Sequence, residues 1–586
     1  MSKSADSKVA TIERHNDDDD DDDDLMDLLS EATVESAAPL PLPRKKRIAA
    51  ANPDGHKKGK KKGKGKGKKE GNGKGDGMMS SKRRKKPLSS PSLASCESEH
   101  TEIGDDESDA PGRALQLHAN NAIRVPKSSS LFDFTDHLVG HVLSDADRHA
   151  LKNCSFSFAE LGAGLATATL CSEALRIAFD KVSCEVKGTC VFYTEQQDWK
   201  RQLIKDTHSI VTPGAPCCVF INTGDVSKPV LVTDSQATIA QLPSHKFTFF
   251  AIECDDVSLC SNTPRSVTDP SGKSGASFLE FLDYLKSMRF QDCPDAIMVE
   301  CVKNLDHIRK KVGGEKGTEV VTAALSEIGY VGSWQMLNAI DFYLPQSRPR
   351  AYGIFLRLSK GLGPKGIELR QQDLDAVWGF VKRCKTKPRF ERLDAMFARL
   401  ALSPPEGAPG ETKKKGTKRQ KTSTPKWLSK HDKFKAKLGL GGVDLLADAQ
   451  MLQFKQSATQ LGLTDREIDA SIIILSRMLK AGDLEDWQSS LLIGNIGDSV
   501  DRIQFKHNVF PCLLPDKKYL ILENGQLRIN SNPLCFLALQ GIGDAEVKHF
   551  GLGKIPLSQC QDLAGNAFSA NICVSILLAL LNVHDK

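Results

Sequence analysis

A thiol, a carboxyl group and two guanidinium groups stand at the ends of strand-like runs in this chain. Cys254 follows the run Phe247 to Glu253, in Ile252-Glu253-Cys254-Asp255-Asp256-Val257-Ser258. In an open α/β sheet the carboxyl ends of strands face the ligand crevice, so a cysteine there is a candidate nucleophile. Glu300 closes the run from Ala296, just before Cys301-Val302. A carboxyl group in a partly dry cleft can be protonated near neutral pH and donate to a ring nitrogen. Arg348 and Arg350 follow the turn at Pro345 and alternate with Ser347 and Pro349. Extended backbone puts both forks of donors on one side, where they suit a carbonyl, a carboxylate or a phosphate. Each has a plain alternative reading. Cys254 is one of 16 cysteines, Glu300 could serve as a strand-end ion-pair partner, and the arginines could form a solvated basic turn.

Upstream, Phe158-Ala159-Glu160-Leu161-Gly162-Ala163-Gly164 leaves a strand and opens a helix. Small residues there let backbone approach a cofactor, and a helix start offers free N–H groups. Glu195 ends the second strand-like run, where a carboxylate can take two ribose hydroxyls. Gly224-Asp225 follows the third run and could accept from an adenine amino group. In that order the three point to a nucleoside-bearing cofactor.

The elements that must hold these residues alternate. Strand-like runs lie at Cys154 to Glu160, Cys190 to Glu195, Cys217 to Thr223, Phe247 to Glu253 and Ala296 to Val302. Helical patterns separate some of them. Val320, Val321, Ala324, Leu325 and Ile328 share one face before a stop at Gly329, and Phe278, Leu279, Leu282 and Leu285 do the same earlier. The fold class expected is α/β, a mostly parallel sheet covered on both faces. A Pro/Gly/Lys-rich break (Ser403 to Pro405, Lys413 to Lys421) and helical patterns at Asp444 to Leu461 and Thr464 to Ala481 mark a second, smaller, more basic domain. The domain boundaries expected are 1–127, 128–360, 361–529 and 530–586. No C-x-x-C pair occurs, which argues against a zinc ribbon and leaves no metal expected. No apolar run opens the chain, so neither a secretory signal nor disulfides are expected. The longest apolar stretch, Ile572 to Val583, is too short to span a bilayer and reads as a buried helix.

A net charge of +6 hides strong segregation. Asp17 to Asp24 is wholly acidic; Pro43-Arg44-Lys45-Lys46-Arg47, a Lys/Gly tract from Lys57 to Lys69 and Lys82 to Lys86 are basic. Like charges and glycine keep such a tail from building a core. Its two compact basic clusters read as nuclear import signals, implying a nuclear location and an import receptor, and clustered lysine binds nucleic-acid phosphate. The competing reading is a solubilising tail.

The whole pattern resembles the cytosine-5 DNA methyltransferase family, which uses S-adenosylmethionine. Asn338 to Arg350 is similar to its N-A-x-D-x-x-x-P-Q-x-R-x-R segment, with Gln346, Arg348 and Arg350 in place. Glu300 falls on the glutamate of its E-N-V, with Cys301 for the asparagine. Phe158 and Gly162 match its F-x-G-x-G, with Glu160 for the first glycine. Glu195 and Asp225 match its ribose and adenine carboxylates. Pro511 to Ile542, with Gln540-Gly541, and Gly565-Asn566-Ala567 resemble its closing segments. The resemblance implies a Rossmann-like methyltransferase sheet with a target-recognition domain. It assigns Cys254, Glu300, Arg348 and Arg350 to catalysis, and Phe158, Gly162, Glu195, Asp225 and Asn566 to S-adenosylmethionine. It makes DNA the partner, with transfer RNA the alternative. The sharpest departure is Glu253-Cys254-Asp255 where the family has P-C-Q. Carboxylates beside a thiol raise its pKa above about 8.5 and repel nucleic-acid phosphate, so a catalytically silent protein of the same fold is the further alternative.

Overall fold

The computed structural model describes residues 125–258, 263–307, 315–359, 363–386, 425–484 and 491–584, a few isolated positions excepted. The acidic run, the basic clusters and the 387–424 break lie outside the described residues.

A seven-stranded sheet carries the site. Its strands are β1 (Cys154–Leu161), β2 (Val186–Thr194), β3 (Val219–Phe220), β6 (Phe247–Ala251), β7 (Ala296–Val302), β8 (Tyr330–Asn338) and β9 (Pro349–Arg357), in the order β3-β2-β1-β6-β7-β9-β8. β4 (Leu231–Val232) and β5 (Thr238–Ile239) pair separately. The first five are parallel, and β9 runs against them, pairing antiparallel with β7 on one side and β8 on the other. Both faces are covered, which is why β6 is apolar at every position but Thr248. Phe247 and Phe249 face one apolar cluster, while Phe250 and Ile252 face the other. The helices Lys273–Ser287 and Gly317–Ile328 cover the second face, and Thr167–Asp180 and Ala570–His584 the first. Gly329 ends the 317–328 helix in the left-handed region (φ 100°), which glycine adopts without a Cβ clash.

Two expected strands differ in length. β2 begins at Val186, because its first residues are partly solvated and break the apolar run. β3 is two residues long, because the chain turns into a 3-10 helix, Thr223–Ser227, closed by a capping box between Asn222 and Asp225.

The smaller unit contains a four-stranded antiparallel sheet: β10 (Leu492–Asn495), β11 (Phe505–His507), β12 (Tyr519–Glu523) and β13 (Gln526–Ile529). Leu492, Leu520 and Leu522 face the helices Ala449–Gln460 and Asp465–Ala481. Ile493, Tyr519 and Ile521 face Phe510 and Leu513 of the loop before β12, and Phe536 and Ala564 of the carboxyl-terminal segment. Thr464 and Glu467 form the capping box that starts the 465–481 helix. The boundary expected at residue 361 put the helix Gly363–Arg383 in this unit. Instead Leu374, Val377 and Phe380 share the sheet's first apolar cluster with the 570–584 helix. The helix is amphipathic, and its pattern alone does not name the surface its apolar stripe meets.

Among the described residues no single helix is long and apolar enough to cross a membrane, although the bent pair Ser558–Asn566 and Ala570–Val583 has the composition. Residues Ile572 to Leu581 are buried against the sheet. Buried amides fasten this segment. Gln540 Nε2 donates to the Ala564 carbonyl (2.8 Å) and to Gln346 Oε1 (3.3 Å), and Asn571 Nδ2 donates to the Phe342 carbonyl (2.9 Å). Gln540→Ala strands a buried carbonyl and a buried amide. It is expected to lower stability by roughly 1–3 kcal/mol in urea unfolding, a direct readout of this junction.

Candidate active site

Parallel pairing brings the ends of β1, β2, β6 and β7 to one edge of the sheet, and β9 starts from that edge. Val302 pairs with Arg350, and Glu300 with Tyr352. Glu300 and Arg350 are therefore diagonal neighbours on one face. Arg350 Nε lies 3.3 Å from Glu300 Oε1, and both side chains are nearly buried. Burial holds the Glu300 carboxyl above its ordinary pKa, and Arg350 and Arg348 pull it part of the way back. For Arg350, burial works against the charge, but Cys512, Glu300 and Cys254 outweigh it and keep the guanidinium firmly protonated.

Cys254 sits three residues beyond β6, whose last residue Ala251 pairs with Glu300. It is partly buried. Burial pushes its thiol above the ordinary range. Arg350 opposes this, while Glu300 and Asp255 add to it. The neighbouring carboxylates have partners. Asp255 pairs with Lys273 Nζ (2.6 Å). Asp256 Oδ2 accepts the Ser274 N–H (2.8 Å), fixing the start of the 273–287 helix. Glu253 is raised first by burial, with Asp255 and Glu195 adding and Lys273 and Lys200 opposing. Its neighbours thus reach from the thiol to the β2 tip. Cys301 faces the opposite side of β7 from Glu300 and belongs to the second apolar cluster.

The expected pair of arginines divides its work. Both reach Cys512 Sγ, so they do share one side. Arg348, however, is 2% exposed. Its Nη2 donates to the carbonyls of Gly565 and Ala567 (both 2.9 Å) and its Nη1 to that of Leu513 (3.2 Å). The geometry corrects the expectation that Arg348 holds a substrate carbonyl: its donors clamp backbone. A side chain that fills a gap between segments distant in sequence cannot be told from a ligand-holding one by spacing. Gly565 is required beside the clamp, since a Cβ there would lie 2.7 Å from the Pro515 nitrogen.

At the β1 end, Gly162 and Gly164 adopt φ of 68° and 53°. The Gly162 N–H donates to Thr194 Oγ1 (3.0 Å) and the Gly164 N–H to Glu195 Oε2 (3.0 Å). Glu195 Oε1 accepts the Gln197 N–H (2.9 Å). Asp225 Oδ2 accepts the Asn222 N–H (3.0 Å), and Oδ1 pairs with Lys228. Phe158 turns inward instead, 1% exposed, with its ring against Phe156 and Phe249. Strand alternation gives it a core position. Asn566 ends the helix Leu557–Asn566, exposed, and donates to Asp562 Oδ1 (2.9 Å). Lys200, buried, pairs with Asp562 Oδ2 (2.7 Å) and joins this helix to Asp198–Val211.

Glu160, unassigned by its place in the glycine motif, is fully buried. Its carboxylate accepts the Ala168 N–H (3.0 Å) and the Thr169 N–H (3.4 Å) at the start of the 167–180 helix. Burial raises its pKa from 4.5 to about 7, with those hydrogen bonds offsetting part of the rise. Cys512 was likewise unassigned: it lies in the 511–542 segment, but the resemblance there gives the cysteine no role.

A mostly parallel α/β sheet thus gathers a glycine turn, two carboxylates and a thiol near its strand tips. Residues 230–386, which include Cys254, Glu300 and both arginines, match the family described as C-5 cytosine-specific DNA methylase. It is 23% identical over 489 residues to DNA (cytosine-5-)-methyltransferase DMT5 of Cryptococcus neoformans var. grubii, covering 78% of this chain and 18% of that protein. It is 31% identical over 114 residues to Type II methyltransferase M2.ScrFI of Lactococcus lactis subsp. cremoris, covering 20% of this chain and 29% of that one. The chain thus spans less than a third of the length of these relatives. Among solved structures, S. pombe Dnmt2 methyltransferase aligns at 12% identity with a TM-score of 0.32, over 73% of this chain and 98% of that one. A putative prophage DNA modification methyltransferase from E. coli aligns at 13% with a TM-score of 0.36, over 74% and 100%.

Two outcomes follow. Arg348→Lys keeps a charge but cannot fork to three carbonyls; it and Arg348→Ala should each lower the unfolding free energy measured in urea, by about 3 kcal/mol in the alanine case, which leaves buried acceptors bare. For Glu160, the folded pKa lies above the unfolded one, so the folded state holds the proton more tightly. Its contribution is greatest below pH 4.5 and is lost as pH rises to about 7. That loss is about 3 kcal/mol. It should be present in wild type and absent from Glu160→Gln when unfolding of the two is compared across this range.

Proposed function

We propose that this chain transfers a methyl group from S-adenosylmethionine to carbon 5 of cytosine in DNA, with Cys254 as covalent nucleophile. The observation that carries it is the meeting of the Cys254 tip, Glu300 and Arg350 at one sheet edge, inside the segment that matches the family. The residues present fit the methyl donor. Glu195 and Asp225 offer acceptors to hydroxyl and amino groups, and Gly162 and Gly164 leave the turn open to close approach. Glu160 already occupies the N–H groups that begin the 167–180 helix. That leaves no seat for a phosphate, which suits a donor that carries none. When bound, S-adenosylmethionine supplies an electrophilic methyl group.

The chain's own residues prepare the base. A target cytosine is flipped from its helix. The Cys254 thiolate forms a bond to ring carbon 6, and the displaced electron pair moves through the ring toward carbon 5 and nitrogen 3. Glu300, whose protonated form burial favours, donates to nitrogen 3 and stabilises that charge. Arg350 holds Glu300 in place and favours the thiolate. After methylation, loss of the carbon 5 proton restores the ring double bond and expels the Cys254 thiolate. Lys273 and the start of the 273–287 helix compensate Asp255 and Asp256, which supports competence despite the acidic neighbours.

The smaller unit is proposed as the target-recognition domain. The basic clusters before residue 127 support a nuclear location reached through an import receptor.

Trapping tests the reading. With S-adenosylmethionine and DNA carrying 5-fluorocytosine, which has no carbon 5 proton to lose, wild type should form a denaturant-stable adduct and Cys254→Ser none. An adduct with RNA alone would reassign the substrate. No adduct with either would end the covalent mechanism.

A further inference from the structure

Cys512 belongs to none of the segments that carry the chemistry above, yet it touches both arginines. It lies on the loop before β12, partly exposed, between buried Pro511 and Leu513. Arg350 Nη2 donates to its Sγ at 3.5 Å and Arg348 Nη1 at 3.8 Å. The Arg350 fork is then engaged on three sides: Nη1 with the Pro349 carbonyl (2.9 Å), Nε with Glu300 (3.3 Å) and Nη2 with the sulfur. A guanidinium is flat and rigid, so contacts at its three nitrogens fix its plane. Glu300 and Pro349 lie on or beside the sheet; the sulfur alone arrives from 162 residues along the chain.

We propose that Cys512 is a positioning residue, whose sulfur holds the Arg350 guanidinium against Glu300 and beside the Cys254 tip. The consequence falls on Cys254. Arg350 is the strongest influence opposing the effect of burial on that thiol. A guanidinium that swings away leaves Cys254 with burial, Glu300 and Asp255 all disfavouring the thiolate. The chemistry runs both ways: burial would raise the Cys512 thiol, but the two arginines outweigh it and hold it below its ordinary range. A sulfur with thiolate character is the stronger acceptor for a cation. The loop between β11 and β12 of the smaller unit thereby sets the charge around a nucleophile on the sheet. The role of Cys254 as nucleophile rests on the function proposed above; the contact geometry does not.

The test reads Cys254 itself. The full chain is labelled with iodoacetamide across pH, and labelling of the Cys254 peptide is followed by mass spectrometry for wild type, Cys512→Ser and Cys512→Ala. Serine keeps an acceptor for the guanidinium and should stay within about twofold of wild type. Alanine removes it. The Cys254 midpoint should move to higher pH, and labelling at pH 8 should fall roughly tenfold, the equivalent of one pKa step. Cys512→Thr and Cys512→Val, alike in shape, repeat the contrast should alanine fail to fold. A Cys254 profile unmoved in the variants that lack an acceptor would overturn the proposal, and so would equal shifts with and without one. Labelling needs neither methyl donor nor nucleic acid. A shifted profile alongside a failed 5-fluorocytosine trap would therefore sink the methyl-transfer reading and leave the role of Cys512 standing.

Discussion

Arg348 is a cation sealed inside the protein, and its coordination is completed by carbonyls 165 to 219 residues further along the chain. A buried guanidinium without its acceptors costs several kcal/mol, so the start of β9 and the carboxyl-terminal segment must come together or neither is stable. Gln540 and Asn571 reinforce the same closure with buried amides. The apolar 570–584 helix supplies the driving force, since its burial removes a continuous hydrophobic surface from water. The edge where Glu300 and Arg350 meet is thus a property of the closed chain and not of the 230–386 segment alone.

Around that edge the charges are distributed with compensation. Four acidic groups, Glu253, Asp255, Asp256 and Glu300, lie close to one thiol. Asp255 is neutralised by an exposed lysine, Asp256 is spent on a helix start, and Glu300 is held by Arg350. What acts on Cys254 is then mainly burial, and the lever against it is the position of one guanidinium. A site built in this way is sensitive to geometry at the scale of a single hydrogen bond, because electrostatic effects in a partly dry crevice are weakly screened.

The β1 end obeys a related constraint. Glu160 caps the 167–180 helix from inside, so the turn of Gly162 and Gly164 presents glycine backbone and the Glu195 carboxylate in place of an anion seat. A residue that departs from the family's glycine pattern thereby acquires a structural reason. Its carboxylate satisfies N–H groups that the turn would otherwise leave bare.

The sequence by itself determined the parallel sheet, the order of the strand tips and the residues standing at them, because alternation and helical period are local and strand-end positions follow from them. The places of Cys254, Glu300, Arg350, Gly162, Glu195 and Asp225 at or just beyond those tips were legible for that reason, and so were the stop at Gly329 and the helix running to Ala481. Only the tertiary structure decided that Arg348 clamps backbone while Arg350 serves Glu300, that Phe158 is core, that the 363–383 helix packs on the sheet, and that Cys512 reaches the arginines. Each of these depends on which distant surface fills a gap or meets an unsatisfied donor. Local periodicity carries no record of that choice; it is settled when the chain closes on itself.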